Sequence, residues 1–181
     1  MAYLITCSSS KKTPLQIQSS SINNLYGDEK LRKFRLELIR QSGIELDWSK
    51  TLPAYELYNG PKSKIYRKIS QDNWLKPCVE IKILSALFGL IKHTDLIPKY
   101  DLKMNQRIGD MVHPPYIFWR DSLVLNQFIG ENDIDLLSKN YKKTFNNSFF
   151  RASPPEGFKY SGYGDSVGYL LEKTLTNINC N

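Results

Sequence analysis

A polar loop near the start of the chain has residue types that could hold an anion. Hydroxyls, backbone N–H groups and ammonium groups are what a phosphate or carboxylate needs, and successive loop amides can form an anion-binding nest. The glycines of GxxxxGK[ST] are absent, so the loop is not a Walker A motif. A Ser/Lys dyad with a neutral lysine as base is a second interpretation, which requires burial of that lysine; a solvated polar turn is a third. The residues are Ser8, Ser9, Ser10, Lys11 and Lys12.

Two carboxylates, Asp95 and Asp101, lie six residues apart around Pro98. Either could act as a general base or orient a water molecule. Asp95 could equally cap a short turn, which is a routine use of aspartate. We predict both as catalytic candidates, together with Lys11.

Two further segments could complete a pocket. Tyr58, Asn59 and Gly60 form a bend in which Tyr58 could stack on a base, although core packing of Tyr58 is an equal interpretation. The run 83–91 reads as a buried strand that breaks into small residues, and ligands in α/β folds bind beyond the carboxyl ends of strands. The predicted ligand-binding residues from this region and its continuation are Ser85, Phe88, Gly89 and Tyr100.

The elements that must position these residues alternate between strand and helix. Strands are predicted over 3–7 and 79–84, an extended segment over 100–104 and a short strand over 149–152. Helices are predicted over 28–42 (capped by Asp28 and ended by Gly43), 62–70, 121–128 and 134–145. A closing helix follows the loop 161–165, with Asp165 as its N-cap. This order predicts an α/β fold with a mixed or mostly parallel central sheet and helices on both faces.

Composition limits the class of protein. The chain has 181 residues, of which 41% are hydrophobic and 12% aromatic. This size and composition predict one globular domain over 1–181 that buries roughly 70% of its unfolded surface. No apolar run approaches the ~20 residues of a membrane span, and residues 1–6 lack the basic and long apolar regions of a signal peptide, so we predict that they form the first strand. The chain has three cysteines and no CxxC spacing, which argues against both a disulfide framework and a zinc site and favours a reducing cytoplasm. His93 and His113 are too few for a histidine-based metal centre, so we predict no metal and no cofactor.

The positive charge is concentrated. The net charge is +7, and residues 62–107 carry ten Lys or Arg against four acidic residues, leaving about +1 for the rest. A basic segment beside the candidate site suggests a phosphate-bearing partner, either a nucleotide or a nucleic acid. A solvated basic face is the alternative.

Several of these segments resemble the YaaA family. The run from Ile83 to Ile91, with its continuation from Asp95 to Met104, is similar to that family's "ILSGLYGLL…DLI-x-PY-x-L-x-M" core, although Lys99 separates Pro98 from the tyrosine here. The loop 8–11 resembles the family's S-P-A-K loop with Ser-Ser in place of Pro-Ala, and 58–60 resembles its Y-x-G segment. The resemblance extends in patches over about 4–145, in a chain shorter than typical members.

The resemblance implies an α/β domain distantly similar to uracil-DNA-glycosylase-like folds, a cytoplasmic location and an association with DNA or protection against oxidative stress. Three hypotheses follow. The first is a nucleic-acid- or nucleotide-binding protein in which Ser8, Ser10 and Lys11 hold polar groups. The second is an enzyme acting on a base or N-glycosidic bond, with Asp95 orienting water or Asp101 stabilising an oxocarbenium-like centre. The third is an interaction protein without catalytic chemistry.

Overall fold

The computed structural model describes residues 1–15, 18–146, 150–158 and 162–180. Its main sheet contains β1 (Tyr3–Thr6), β3 (Ile81–Ser85), β4 (Gly89–Lys92) and β6 (Ile134–Asp135), in the spatial order β4-β3-β1-β6. β1 runs parallel to both β3 and β6, whereas β4 folds back antiparallel on β3. The predicted α/β class with a mixed, mostly parallel sheet is therefore confirmed.

The two central strands are buried along their whole length. Every residue of β1 and β3 is buried, as expected for strands covered on both faces. Their register pairs Tyr3 with Ile81 and Thr6 with Leu84. A separate antiparallel ribbon joins β2 (Thr51–Pro53) to β5 (Leu96–Pro98).

The first helix, α1 (Glu29–Ser42), follows its local signals and confirms its prediction. The Asp28 carboxylate accepts a hydrogen bond from the backbone N–H of Leu31 at 2.8 Å, which satisfies one free donor of the first turn. Gly43 ends the helix in the left-handed conformation, at φ 65°.

The closing helix, α6 (Tyr163–Thr176), is also confirmed, but its predicted cap is wrong. The N-cap is Gly162, in the left-handed region at φ 62°. Asp165 lies inside the first turn, where its carboxylate is 3.7 Å from Nζ of Lys68. Of the predicted loop 161–165, Ser161 lies outside the described residues.

The predicted helix over 62–70 is wrong. This segment holds only a 3-10 turn, Tyr66–Lys68, and the next helix is the short α3 (Gln71–Trp74). The hydroxyl of Ser63 accepts a hydrogen bond from the N–H of Tyr66, an alternative to helical pairing. Ile65 and Ile69 are both buried although the segment forms only a tight turn. Their i, i+4 spacing, which suggested a helix, is therefore satisfied without one.

Two later helix predictions, over 121–128 and 134–145, are wrong for different reasons. The region 115–128 contains α4 (Pro115–Ser122) and a 3-10 turn (Asn126–Phe128), because a proline begins α4 and Leu123 ends it in the left-handed region. Residues 134–135 are strand β6, and only α5 (Lys139–Lys142) is helical within 134–145. Parallel pairing of β6 with β1 overrides the helical spacing.

Shorter segments complete the chain. The bend before Tyr58 is a one-turn helix, α2 (Ala54–Leu57), and Ile22–Asn24 forms a 3-10 turn. Residues 100–104 contain no strand. Phe149 lies outside the described residues, and Ser153 makes an isolated parallel bridge with Ile134 beside the predicted short strand. None of the described helices is both long and apolar enough to cross a lipid bilayer.

The cysteine prediction is corrected. Cys78 and Cys180 form a disulfide across 102 positions, and Cys7 is free. The spacing contains no sign of this pair, because only the path of α6 brings the end of the chain back to the loop before β3. His93 is buried, and its ring nitrogens lie 2.9 and 3.3 Å from the carbonyl oxygens of Trp74 and Ile81, which is a structural role.

Candidate functional site

The candidate site lies at one edge of the main sheet. β1, β3 and β6 are parallel, so the segments that follow them meet at their common carboxyl edge. The loop 7–12 follows β1, Ser85 ends β3, and 136–141 follows β6. The sequence predicted the first two segments and missed the third.

A chain of buried hydroxyls forms the floor of the site. The hydroxyl oxygens of Tyr58 and Tyr100 are 2.8 Å apart, and Oγ of Ser85 is 2.8 Å from the Tyr100 hydroxyl. Ser85 Oγ also accepts a hydrogen bond from the N–H of Phe88 at 3.1 Å. The predicted residues of the bend 58–60, the β3–β4 turn and position 100 are thus brought together.

Three more tyrosines surround the end of β1. The Tyr66 hydroxyl donates to the carbonyl of Thr6 at 2.9 Å, and the Tyr163 hydroxyl lies 3.2 Å from Thr6 Oγ1 and donates to the carbonyl of Leu136. The Tyr141 hydroxyl lies 3.2 Å from Cys7 Sγ. We call the five residues the tyrosine cluster: Tyr58, Tyr66, Tyr100, Tyr141 and Tyr163.

Burial controls the ionisation of the tyrosine cluster. It raises the pKa of each of the five phenols well above the usual value near 10, because a phenolate would lose its hydration. All five hydroxyls are therefore protonated at neutral pH. The cluster supplies neutral hydrogen-bonding groups and not anions.

Lys11 lies on the tyrosine cluster. Its ammonium nitrogen is 4.5 Å from the centroid of the Tyr100 ring and 5.7 Å from that of Tyr58, within the range of cation–π contacts. Burial lowers the pKa of Lys11, and electrostatic interactions with Cys7 and Asp101 partly oppose this effect. Among the residues that the structure describes, no carboxylate oxygen lies within 4.0 Å of this nitrogen, whereas Lys12 reaches Glu56 at that distance.

The bend 58–60 fixes the Ser/Lys loop. The Gly60 N–H donates to the carbonyl of Ser10 at 3.3 Å, and the Lys62 N–H donates to Ser10 Oγ at 3.0 Å. A Cβ on Gly60 would lie 2.5 Å from Ser10 atoms and 2.6 Å from the nitrogen of Lys11. Only glycine permits this approach, which explains the Tyr-x-Gly spacing.

The loop leaves polar groups at the surface. Ser9 and Lys12 are exposed, while Ser8, Ser10 and Lys11 are half-buried. Ser8 Oγ accepts a hydrogen bond from the Ser10 N–H at 3.1 Å, which turns the loop back on itself. Oδ1 of Asn59 is buried and has no hydrogen-bond partner within the described ranges.

Other predicted ligand residues lie too deep to touch a ligand directly. Tyr58 and Phe88 are fully buried, and the Phe88 ring packs edge-on against Tyr100 at 5.3 Å. Gly89 takes φ 65° in the β3–β4 turn, beneath Leu125. The stacking expected of Tyr58 requires an exposed ring; the structure instead places that ring beneath Lys11.

The two predicted aspartates have different surroundings. Asp95 Oδ2 accepts hydrogen bonds from the N–H groups of Tyr26 at 2.9 Å and Lys92 at 3.0 Å, which is the geometry of a turn cap. Burial raises the pKa of Asp95, and these two hydrogen bonds oppose the rise. Asp101 is exposed and follows Tyr100 directly. Its negative charge raises the pKa of Lys11 and so opposes the effect of burial.

A basic cleft adjoins the tyrosine cluster, and the charge count along the sequence missed it. A cavity of about 550 Å³ is lined by Arg120, Lys139, Lys142 and Lys143. A neighbouring cavity of about 290 Å³ contains Lys103, Lys143 and Tyr141 of the cluster. We call these five cations the basic cleft. Four of them lie outside 62–107; the grouping of three lysines within 139–143 was the available signal.

The structure is that of an α/β protein in which a half-buried lysine lies on a cluster of buried tyrosines at the carboxyl edge of the sheet. The family model described as "Peroxide stress protein YaaA" matches residues 11–156. The chain belongs to this family. It is also similar to a protein named "UPF0246 protein" from Finegoldia magna, with 39% identity over 61 residues. That match covers 34% of this chain and 23% of the relative's length.

Proposed function

We propose that this protein binds nucleic acid or nucleotides through Lys11, with its loop 8–12, and through the basic cleft. The observation that carries the proposal is the position of Lys11: its ammonium is held against Tyr100 and, within the described chain, has no carboxylate in ion-pair range. Phosphate is a natural partner for such a cation, and Ser8, Ser9 and the loop amides supply further donors.

The basic cleft supports an extended ligand. Two of its cations, Lys103 and Lys143, line a cavity together with Tyr141, whose hydroxyl lies 3.2 Å from Cys7 Sγ. A nucleic acid could therefore place one phosphate or base at Lys11 and neighbouring phosphates along Lys103 and Lys143. Neutralised phosphates release counterions, so such binding falls steeply as salt rises.

Fluorescence anisotropy of labelled single-stranded and duplex oligonucleotides, at salt concentrations from about 50 to 200 mM, tests the proposal. We expect Lys11→Ala to weaken binding at all sequences, and Lys143→Ala to lower the salt slope by about one. Lys33→Ala is the matched control, since Lys33 is exposed on α1 and pairs with Glu29. Salt-independent binding, or equal losses in Lys11→Ala and Lys33→Ala, would contradict it.

An enzyme acting on a base or N-glycosidic bond is the second candidate. Burial lowers the pKa of Lys11, which favours a neutral amine that can accept a proton, and Asp101 adds a carboxylate beside it. Chromatography of oligonucleotides after long incubation would reveal released or altered bases. Turnover that disappears in both Lys11→Ala and Asp101→Asn, while binding by Asp101→Asn persists, supports the enzyme. Absence of turnover leaves the binding proposal intact.

The family description suggests the setting. The matched family is described as a peroxide stress protein, and we propose that nucleic-acid binding serves protection of DNA in that response. Peroxide-induced strand breakage in purified plasmid, with and without the protein, tests this step. Equal protection by wild type and Lys11→Ala would mean that protection of DNA does not depend on Lys11.

A further inference from the structure

The disulfide Cys78–Cys180 is accessible to solvent. It joins the loop before β3 to the segment after α6, and both cysteines are exposed. Exposed disulfides can be attacked by small thiols, whereas buried ones are protected. The bond therefore lies where the redox state of the solution can act on it.

This disulfide holds the C-terminal end of α6. Two residues before Cys78, the Lys76 ammonium donates to the carbonyl of Leu175, in the last turn of α6, and to that of Ile178, just after the helix. Asn73 donates to Glu172 Oε2 at 3.0 Å and to Thr176 Oγ1 at 2.9 Å. The disulfide thus holds the segment 73–78 beside the C-terminal end of α6, where these hydrogen bonds join the two.

The other end of α6 lies in the candidate site. Tyr163, its first residue, donates its hydroxyl to the carbonyl of Leu136 and lies 3.2 Å from Thr6 Oγ1. Between the two ends, Gly164 and Gly168 let the helix approach closely: a Cβ there would lie 2.7 Å from Lys64 Cβ and 2.8 Å from Lys68 Cβ. A displacement of α6 would therefore reach the tyrosine cluster.

We propose that Cys78 and Cys180 are a reversible redox pair whose disulfide locks α6, and with it Tyr163, against the site. In reduction, a thiolate attacks one sulfur and forms a mixed disulfide, releasing the other cysteine as a thiolate. A second small thiolate then attacks the small-thiol sulfur of the mixed disulfide, which forms the small disulfide and releases the remaining cysteine as a thiolate. Two small thiols leave as one small disulfide, and the protein gains two electrons and two protons.

The chemistry of the pair is tested by equilibrating the whole protein in reduced and oxidised glutathione at several ratios, then alkylating and weighing it. We expect wild type and the control Cys7→Ser each to show one transition, in which two more thiols become alkylated and the mass rises by two alkyl groups. Neither Cys78→Ser nor Cys180→Ser should show it. A protein that keeps the same thiol count at every ratio overturns the proposal.

The mechanical consequence is tested by hydrogen exchange of the oxidised and reduced wild type, which needs no nucleic acid and so is independent of the proposed function. Reduction should speed exchange of amides in the last turns of α6 about tenfold or more, and leave those of α1 unchanged. Cys78→Ser should match the reduced wild type under oxidising conditions. Identical exchange of α6 in both redox states overturns the lock.

Discussion

The ammonium of Lys11 lies 4.5 Å from the centroid of the Tyr100 ring, and the hydroxyl of that ring is 2.8 Å from Ser85 Oγ. One side chain therefore links the loop after β1 to the end of β3. The ammonium lies against an aromatic face, and no carboxylate oxygen of the described residues is within 4.0 Å of it, so it remains available to an anion. This relationship has consequences for stability and for ligand binding.

Replacing Lys11 by Met separates those two effects. Burial lowers the pKa of Lys11 below its value in the unfolded chain. Below the folded pKa the ammonium is charged in both states, and its charge is less stable in the folded protein. Between the two pKa values the unfolded chain binds more protons, so the contribution of Lys11 makes the free energy of unfolding rise with pH. Lys11→Met removes the cost, and we expect its Tm at pH 7 to fall by no more than about 2 °C. Oligonucleotide binding should weaken about tenfold or more, because the variant loses one phosphate contact or one stacked base.

Calorimetry and anisotropy on the same preparations check this prediction. The matched control is Lys12→Met, in an adjacent exposed lysine that has a partner in Glu56. A large fall in Tm for Lys11→Met would show that the ammonium stabilises the fold, contrary to the sign argued here.

The tyrosine cluster predicts steep alkaline unfolding. Each phenol has its pKa raised in the folded protein by burial, whereas in the unfolded chain it ionises near pH 10. The native state therefore binds more protons above pH 10, and stability falls by about 1.4 kcal/mol per pH unit for each phenol concerned. The stabilising effect is complete below about pH 10 and is lost as pH rises toward the folded pKa values.

Absorbance at 295 nm during an alkaline titration checks this, because tyrosinate should appear together with the loss of far-ultraviolet circular dichroism. Tyr66→Phe should lower the pH slope of the unfolding free energy by about 1.4 kcal/mol per unit. Tyr169→Phe, in an exposed tyrosine of α6, is the control and should leave the slope unchanged. Tyrosinate formation in a still-folded protein would refute the prediction.

The accuracy of the sequence predictions depended on how local each signal was. α1 was predicted with its cap and its terminating glycine, because Asp28 and Gly43 act within one turn of the helix. β6 was missed, because Ile134 and Asp135 become a strand only through pairing with Tyr3 and Leu4, 131 positions away. The Cys78–Cys180 bond has the same cause, since it depends on the path of α6.

The candidate site shows the same division. Its loop, its bend and its strand end were predicted from polar and small residues that follow apolar runs. Tyr141 and Tyr163 were not, because nothing in their neighbours indicates that both reach the end of β1. Charge counted along the chain also differs from charge in space: Lys139, Lys142 and Lys143 reach the cleft through the turn after β6.

Gly60 offers a test of how the Ser/Lys loop is held. A Cβ at this position would lie 2.5 Å from Ser10 and 2.6 Å from the nitrogen of Lys11, so Gly60→Ala must push the loop away from the bend. Forced contacts of this kind cost about 1–3 kcal/mol. We expect that loss in urea denaturation, with faster tryptic cleavage after Lys11 or Lys12. Gly130→Ala is the control, since its Cβ would meet nothing closer than 3.8 Å.

Arg35 gives the last prediction, on the frame beneath the site. This fully buried residue of α1 donates to the carbonyls of Phe88, Leu90 and Tyr26, each at 2.7 Å, and so fixes the turn between β3 and β4 that carries Ser85. Burial lowers the pKa of Arg35 to about 10, and its charge survives through neutral pH.

Replacing Arg35 by Met leaves three carbonyls without a charged donor, and two of them, those of Phe88 and Leu90, are in buried hydrogen bonds. Since hydrogen bonds to charged groups contribute about 1.5–3 kcal/mol each, we expect a loss of at least about 3 kcal/mol in the free energy of unfolding, measured in urea. Arg32→Met, on the same helix but with an exposed contact to Asn23, should cost less than about 1 kcal/mol. Similar losses in the two variants would mean that the Phe88 turn holds its shape without Arg35, and that the position of Ser85 depends on β3 alone.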